Sequence, residues 1–181
     1  LAAKALVHAP EISTRDVTYA LVIAHVRGDR HVRAAIDESL AALGPRTLAP
    51  MISLLDERDQ DVARELSVQL SRHGDKAGKP LFDAMAEVGP VVRCNAISAL
   101  ARIGGKTLEK GYANVVAMLQ DPFDAARAEA VVALGAMPRA KIAKDLVVMN
   151  RLQEMLEYDA SLAVRLAADA TLAAIGPPAA G

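Results

Sequence analysis

The sequence predicts an all-α fold, a right-handed α-solenoid of about five stacked helical hairpins with no β-sheet. Three observations predict it. A thirteen-residue helical pattern returns five times; its apolar residues are aliphatic rather than aromatic; and glycine or proline closes every copy.

The clearest copies are VRCNAISALARIG at 92–104, VRAAIDESLAALG at 32–44 and VRLAADATLAAIG at 164–176. VARELSVQLSRHG at 62–74 is degenerate, with Ala63 in place of the arginine and His73 in place of the last apolar residue. ARAEAVVALGAMP at 126–138 keeps Arg127, Ala130, Leu134 and Met137 but ends in Pro138. Val32, Val62 and Val92 lie 30 residues apart; Ala126 follows after 34 and Val164 after 38. With these residues as position zero, apolar side chains fall at zero, four, eight and eleven, one stripe of a 3.6-residue helix. Gly44, Gly74, Gly104 and Gly176 stand where helices commonly end, and Pro45 and Pro177 prevent continuation.

A second apolar helix pattern precedes each copy, at 15–27, 47–57, 80–88, 108–119 and 140–156, the last long enough to bend or split. Aspartates introduce most of the repeated helices, and their carboxylates suit free backbone donors at a helix start. The chain thus reads as one repeat domain, 1–181, with repeats at roughly 12–44, 45–74, 75–104, 105–138 and 139–176. A single hairpin cannot cover its own apolar stripe, so neighbours stack into a curved solenoid.

Composition agrees. Apolar residues make up 52% of the 181, yet only 3% are aromatic and none is Trp, so Ala, Leu, Val and Ile must build the interior. Net charge is −1, from 21 basic and 22 acidic residues with interspersed signs. That balance argues against the concentrated positive charge of a nucleic-acid-binding protein, though not against a local basic patch. The lone Cys94 permits no internal disulfide and suits a reducing compartment, so a cytoplasmic location is expected. The longest apolar stretches, 19–26 and 130–137, fall short of the about 18 to 20 residues of a membrane span. No signal-peptide pattern is visible, and a start at Leu1 suggests a piece of a longer chain.

These repeats resemble the HEAT-repeat family, in particular its short bacterial variety named after phycocyanobilin lyases. Val92, Arg93, Ala96, Ala99, Leu100 and Gly104 carry the resemblance, as do Val164, Arg165, Ala168, Leu172 and Gly176; it spans roughly residues 15–176. It implies the fold and a structural role for the arginine, pairing with acidic side chains of a neighbouring turn. Arg33, Arg93, Arg127 and Arg165 fit that role, with Asp29, Asp61, Asp121 and Asp159 as candidate partners. Ala63 breaks the ladder in the second copy. The lyase resemblance implies an alternative, a bilin lyase-like subunit or chaperone.

Chemistry-bearing motifs are sparse. His8, His25, His31 and His73 form no HExxH, and none stands three or four residues from another His or Cys. His31 near Asp29 is two ligands where zinc and iron want three or four, so neither a metal nor a cofactor is expected. Cys94 has no evident base to activate it. IGGKTLEK at 103–110 lacks the spacing and the strand of a phosphate loop, and G-x-S-x-G is absent. A helical-repeat nucleic-acid binder is the further alternative, and the absence of Trp and of excess positive charge speaks against it.

The outward face of the repeated helices remains. Positions two, three, six and ten project from it: Ala34, Ala35, Glu38 and Ala42; Arg64, Glu65, Val68 and Arg72; Cys94, Asn95, Ser98 and Arg102; Ala128, Glu129, Val132 and Ala136. The expectation is a non-enzymatic protein–protein interaction scaffold that takes a protein or peptide in a concave groove. Arg64, Glu65, Arg72, Asn95, Arg102 and Glu129 are the candidate contacts, the arginines forming a cationic strip. The end repeats, the last closing on AAIGPPAAG, are candidates for self-association.

Overall fold

Aspartate and glycine set the punctuation of the chain. In the computed structural model, which describes residues 14–87 and 89–176, α1 spans Thr14–Arg27, α2 Arg30–Leu43, and a 3-10 turn (Gly44–Thr47) leads to α3, Leu48–Ile52. There follow α4 (Gln60–Ser71), α5 (Asp75–Met85), α6 (Pro90–Ile103), α7 (Gly105–Lys110) and α8 (Tyr112–Ala117). The chain continues with α9 (Asp124–Gly135), α10 (Arg139–Ile142), α11 (Leu146–Tyr158) and α12 (Leu162–Ile175). No strand occurs among the described residues, and none of their helices is long and apolar enough to cross a membrane. His8, Val88, Pro177 and the apolar terminus at 177–181 lie outside the described residues.

The repeated pattern is α2, α4, α6, α9 and α12. Asp29 caps α2 by accepting from His31 N and Val32 N at 2.8 and 3.0 Å, and Asp59 caps α4 through Asp61 N and Val62 N. Gly44, Gly74, Gly104 and Gly176 have φ of 53, 54, 62 and 83°, a region that side-chain-bearing residues avoid. The intervening helices depart from expectation. The 47–57 pattern is a 3-10 turn and the short α3; the 108–119 pattern breaks into α7 and α8 at Gly111, against which the Phe82 ring is packed. Expected at Pro80, α5 instead starts at Asp75 and runs through the proline. The additional turn buries Ala77 and Gly78, which offsets the hydrogen bond that Pro80 cannot donate. The long last pattern splits into α10 and α11.

Helices α4, α6, α9 and α12 lie side by side, with α5 packed on α6 and α11 on α12. Their shared interior is aliphatic and small: Leu66, Leu70, Ala96, Ile97, Leu100, Ala126, Ala130, Val131, Leu134, Val164 and Ala168 are all at most 1% exposed. The first hairpin sits differently. Helix α1 packs on α3 and α4, whereas α2 packs mainly on α1 and the 3-10 turn. Val32, expected in the apolar stripe, is consequently 42% exposed.

Copies three to five are joined by charge. Arg93 donates from Nε and Nη2 to both oxygens of Asp121 at 2.7 and 2.9 Å, while Nη1 donates back to the Glu87 carbonyl. Arg127 repeats this on Asp159 at 2.9 and 2.8 Å, with Nη1 on the Asp121 carbonyl. Each arginine thus reaches forward to the aspartate that opens the next copy. The other expected rungs are replaced. Arg33 donates to the carbonyls of His25, Val26 and Gly28, closing the end of α1, and Arg165 donates to those of Asp159 and Ala160. Asp29 acts as a helix cap, and Asp61 forms an exposed pair with Arg64. The second copy has Glu57 where the fourth and fifth have Asp121 and Asp159, and its Oε1 already accepts from Arg58 N and Asp59 N. With Ala63 beside it, Asn95 joins the second and third copies instead, donating to the Leu55 and Glu57 carbonyls at 2.9 and 3.0 Å.

The guanidinium partners hold Asp121 and Asp159 below the usual carboxylate range. A depressed folded-state pKa stabilises above the unfolded value, about pH 4, and that contribution is lost as pH falls through the folded value. Asp121→Ala should cost about 3 kcal/mol in urea unfolding, since it removes both carboxylate bonds of a guanidinium only 15% exposed. Asp61→Ala, which breaks an exposed pair, should stay within about 0.5 kcal/mol. Stability of the Asp121→Asn/Asp159→Asn variant should fall less steeply below about pH 4 than that of the parent.

Candidate interaction groove

Side-by-side stacking brings the outward positions of α4, α6 and α9 into register. They line a cleft of about 290 Å³ that includes Arg64, Ser67, Cys94, Ser98, Arg102 and Glu129. Four of the six candidate contacts, Arg64, Asn95, Arg102 and Glu129, meet there. Asn95 lends only part of its side chain, because its amide nitrogen is tied to the Leu55 and Glu57 carbonyls.

Glu65 and Arg72 are engaged elsewhere. Arg72 pairs with Asp37 at 2.7 Å, and Glu65 accepts from Gln69 Nε2 at 2.6 Å while facing His25 Nδ1 at 3.2 Å. The second ring nitrogen of His25 faces Asp37 at 3.3 Å, so one polar cluster joins the first hairpin to α4. The three-arginine strip is therefore incomplete: Arg72 is neutralised, Arg64 pairs with Asp61, and Arg102 makes no ion pair among the described residues. The polar cluster was visible in one respect. Asp37 occupies the fifth position of its copy, where Ile97 and Val131 are fully buried in the third and fourth.

Burial raises the Glu129 carboxyl above the usual range, opposed by a hydrogen bond with Ser98 and by the Arg102 charge. Apolar surface adjoins these charges: Val132 is 48% exposed, and at the end of the row Leu166 is 60% exposed. A larger hollow, about 980 Å³, lies beside the turns at Asp121 and Asp159. Its Arg127, Asp121 and Asp159 already hold one another, and Gln120, Arg151, Glu154 and Tyr158 supply the rest of its polar lining. Among the described residues no group of three or more His, Cys, Asp or Glu is placed to hold a metal ion.

Cys94 lines the cleft as a quiet thiol, pushed up to about 12 by burial and then by Glu129, Asp121 and Asp124. A thiol that far above neutrality carries almost no thiolate. Iodoacetamide at pH 8 should therefore alkylate Cys94 at least about a hundredfold more slowly in the folded chain than in urea, read by intact mass.

A scan against protein-family models finds no match, and a search of the curated proteins finds none either. Solved structures do match. A designed armadillo repeat protein in complex with the peptide (KR)4 superposes with a TM-score of 0.62 at 19% identity, over 96% of this chain and 80% of that one. An engineered protein matches over 92% of both chains at 18% identity and a TM-score of 0.59. The complex of CpcE and CpcF of phycocyanin lyase from Nostoc sp. matches with a TM-score of 0.54 at 20% identity, over 86% of this chain and 98% of that one. At such identities the likeness is one of fold. The chain is an all-helical solenoid of the armadillo and HEAT-like repeat type.

Proposed function

We propose that this solenoid is a non-enzymatic protein–protein interaction module that receives an extended peptide or a helix of a partner across α4, α6 and α9. The observation that carries the reading is the cleft itself. Three repeats contribute one outward strip each: Arg102 and half-buried Glu129 line the cleft, and exposed Val132 follows Glu129 by three residues on the same helix. A partner backbone can donate to Glu129 and accept from Arg102 while an apolar side chain covers Val132. Helix packing orders these groups in advance, which lowers the entropic cost of binding. The bound peptide of the designed armadillo neighbour supports the same use of the fold.

Panning of a displayed linear-peptide library against the whole chain tests this. Selected peptides should bind the Arg102→Glu/Val132→Glu variant at least about tenfold more weakly than the parent, in fluorescence anisotropy. Equal affinity for both would reject the cleft as the binding face. The lyase neighbour supplies a second arm. A visible absorption change on mixing with an open-chain tetrapyrrole, lost in the same variant, would favour a bilin carrier instead.

A further inference from the structure

Charge is unevenly divided between the two rims of the stack. On one rim lie the aspartates that open repeated helices, Asp29, Asp59, Asp121 and Asp159, engaged with backbone donors and ladder arginines. Every lysine among the described residues falls after the end of α4, α6 or α9: Lys76 and Lys79 in α5, Lys106 and Lys110 in α7, Lys141 in α10 and Lys144 just past it.

Contacts bring these segments together in a row. Thr47 Oγ1 meets His73 Nε2 at 3.2 Å, and Thr107 donates to Asp75. Lys141 reaches the Glu109 carbonyl and lies 4.6 Å from the centroid of the Tyr112 ring, whose hydroxyl donates to Asp145 at 2.7 Å. The junctions after four successive repeated helices are thereby stitched into a continuous edge.

Six cations on this edge, Arg46, Lys76, Lys106, Lys110, Arg139 and Lys144, are exposed, and their side chains form no ion pair or hydrogen bond among the described residues. Arg46, Lys76 and Lys106 share one register, each two residues past a positive-φ glycine and 30 residues from the next. Two of the acidic groups nearby are occupied: Asp75 by Thr107, and Asp145 by Tyr112 and Val148 N.

We propose that this rim docks an acidic, extended segment of a partner protein, with one carboxylate meeting each repeat. Packed helices lie about 10 Å apart. A polyproline II segment rises about 3.1 Å per residue with about three residues per turn, so an acidic residue at every third position faces the rim in step with Arg46, Lys76 and Lys106. Single-stranded nucleic acid would need aromatic platforms for its bases. The rim's Tyr112 has its face beneath Lys141 and its hydroxyl bound to Asp145. A charged bilayer meets a plane of cations, whereas these three stand in single file. The rim cations and the residues lining the cleft across α4, α6 and α9 do not overlap, so either surface can fail without the other.

The test uses the whole chain and a fluorescein-labelled peptide of repeating Glu-Gly-Ser, titrated by anisotropy at low ionic strength. The peptide should bind, its Lys-Gly-Ser counterpart should not, and added salt should weaken the complex. Arg46→Glu/Lys76→Glu/Lys106→Glu should lose about tenfold or more in affinity, and the triple Gln variant less, with helical circular dichroism unchanged in both. The Arg102→Glu/Val132→Glu variant should bind this peptide as the parent does. Equal affinity for the parent and the rim variants would overturn the proposal. So would tighter, rim-dependent binding of phosphatidylserine vesicles or of an oligothymidylate, which would assign the edge to a lipid surface or to nucleic acid.

Discussion

The close lateral contact of α6, α9 and α12 is the constraint on which the other features rest. It depends on alanine. Ala96, Ala99, Ala126, Ala130, Ala133 and Ala168 are fully buried, and their single methyl groups let the backbones approach far enough for longer side chains to reach the neighbouring copy. Thr171 shows how tight the fit is: its hydroxyl donates to the Val131 carbonyl in the adjacent helix, and a methyl on Gly135 would stand 3.0 Å from the Thr171 Oγ1. The forked pairs Arg93–Asp121 and Arg127–Asp159 close at 2.7 to 2.9 Å because the helices beneath them are already at the required separation. The order of causes is packing first, then charge. Isolated ion pairs are poor sources of stability, and these two gain theirs from being mostly buried, bidentate and further bonded to backbone.

The same constraint produces the cleft across α4, α6 and α9. A side chain at the second, third or sixth position has no choice of neighbour once the helices are in register. Glu129 must therefore approach Ser98 and the charge of Arg102, and burial then holds its carboxyl in a less acidic state. The cleft is a by-product of stacking, but its chemistry is particular to copies two to four. In the first copy the corresponding residues are Ala34, Ala35, Glu38 and Ala42, all exposed.

Much of this was legible in the sequence, and the reason is periodicity. Helices α2, α6 and α12 end directly before their glycines, and four of the six candidate contacts line one cleft. What was not legible depends on how one element meets another. Nothing in a thirteen-residue pattern says that α1, rather than α2, will lie against α4, so the exposure of Val32 and the diversion of Glu65 and Arg72 into a cluster with His25 and Asp37 stayed hidden. Asp61 looked like a ladder partner because it precedes Val62, but the capping position belongs to Asp59, two residues earlier. Pro80 looked like a helix start because proline favours one, and burial of the preceding turn outweighed that preference.

The forward reach of Arg93 and Arg127 gives the array a polarity with a consequence for how such chains grow. A copy that carries an aspartate at its entrance and an arginine just inside it holds both halves of a joint, as the fourth copy does with Asp121 and Arg127. Duplicating that unit in tandem would create a working joint at the new seam with no further substitution. The second copy, with Ala63, would not propagate one.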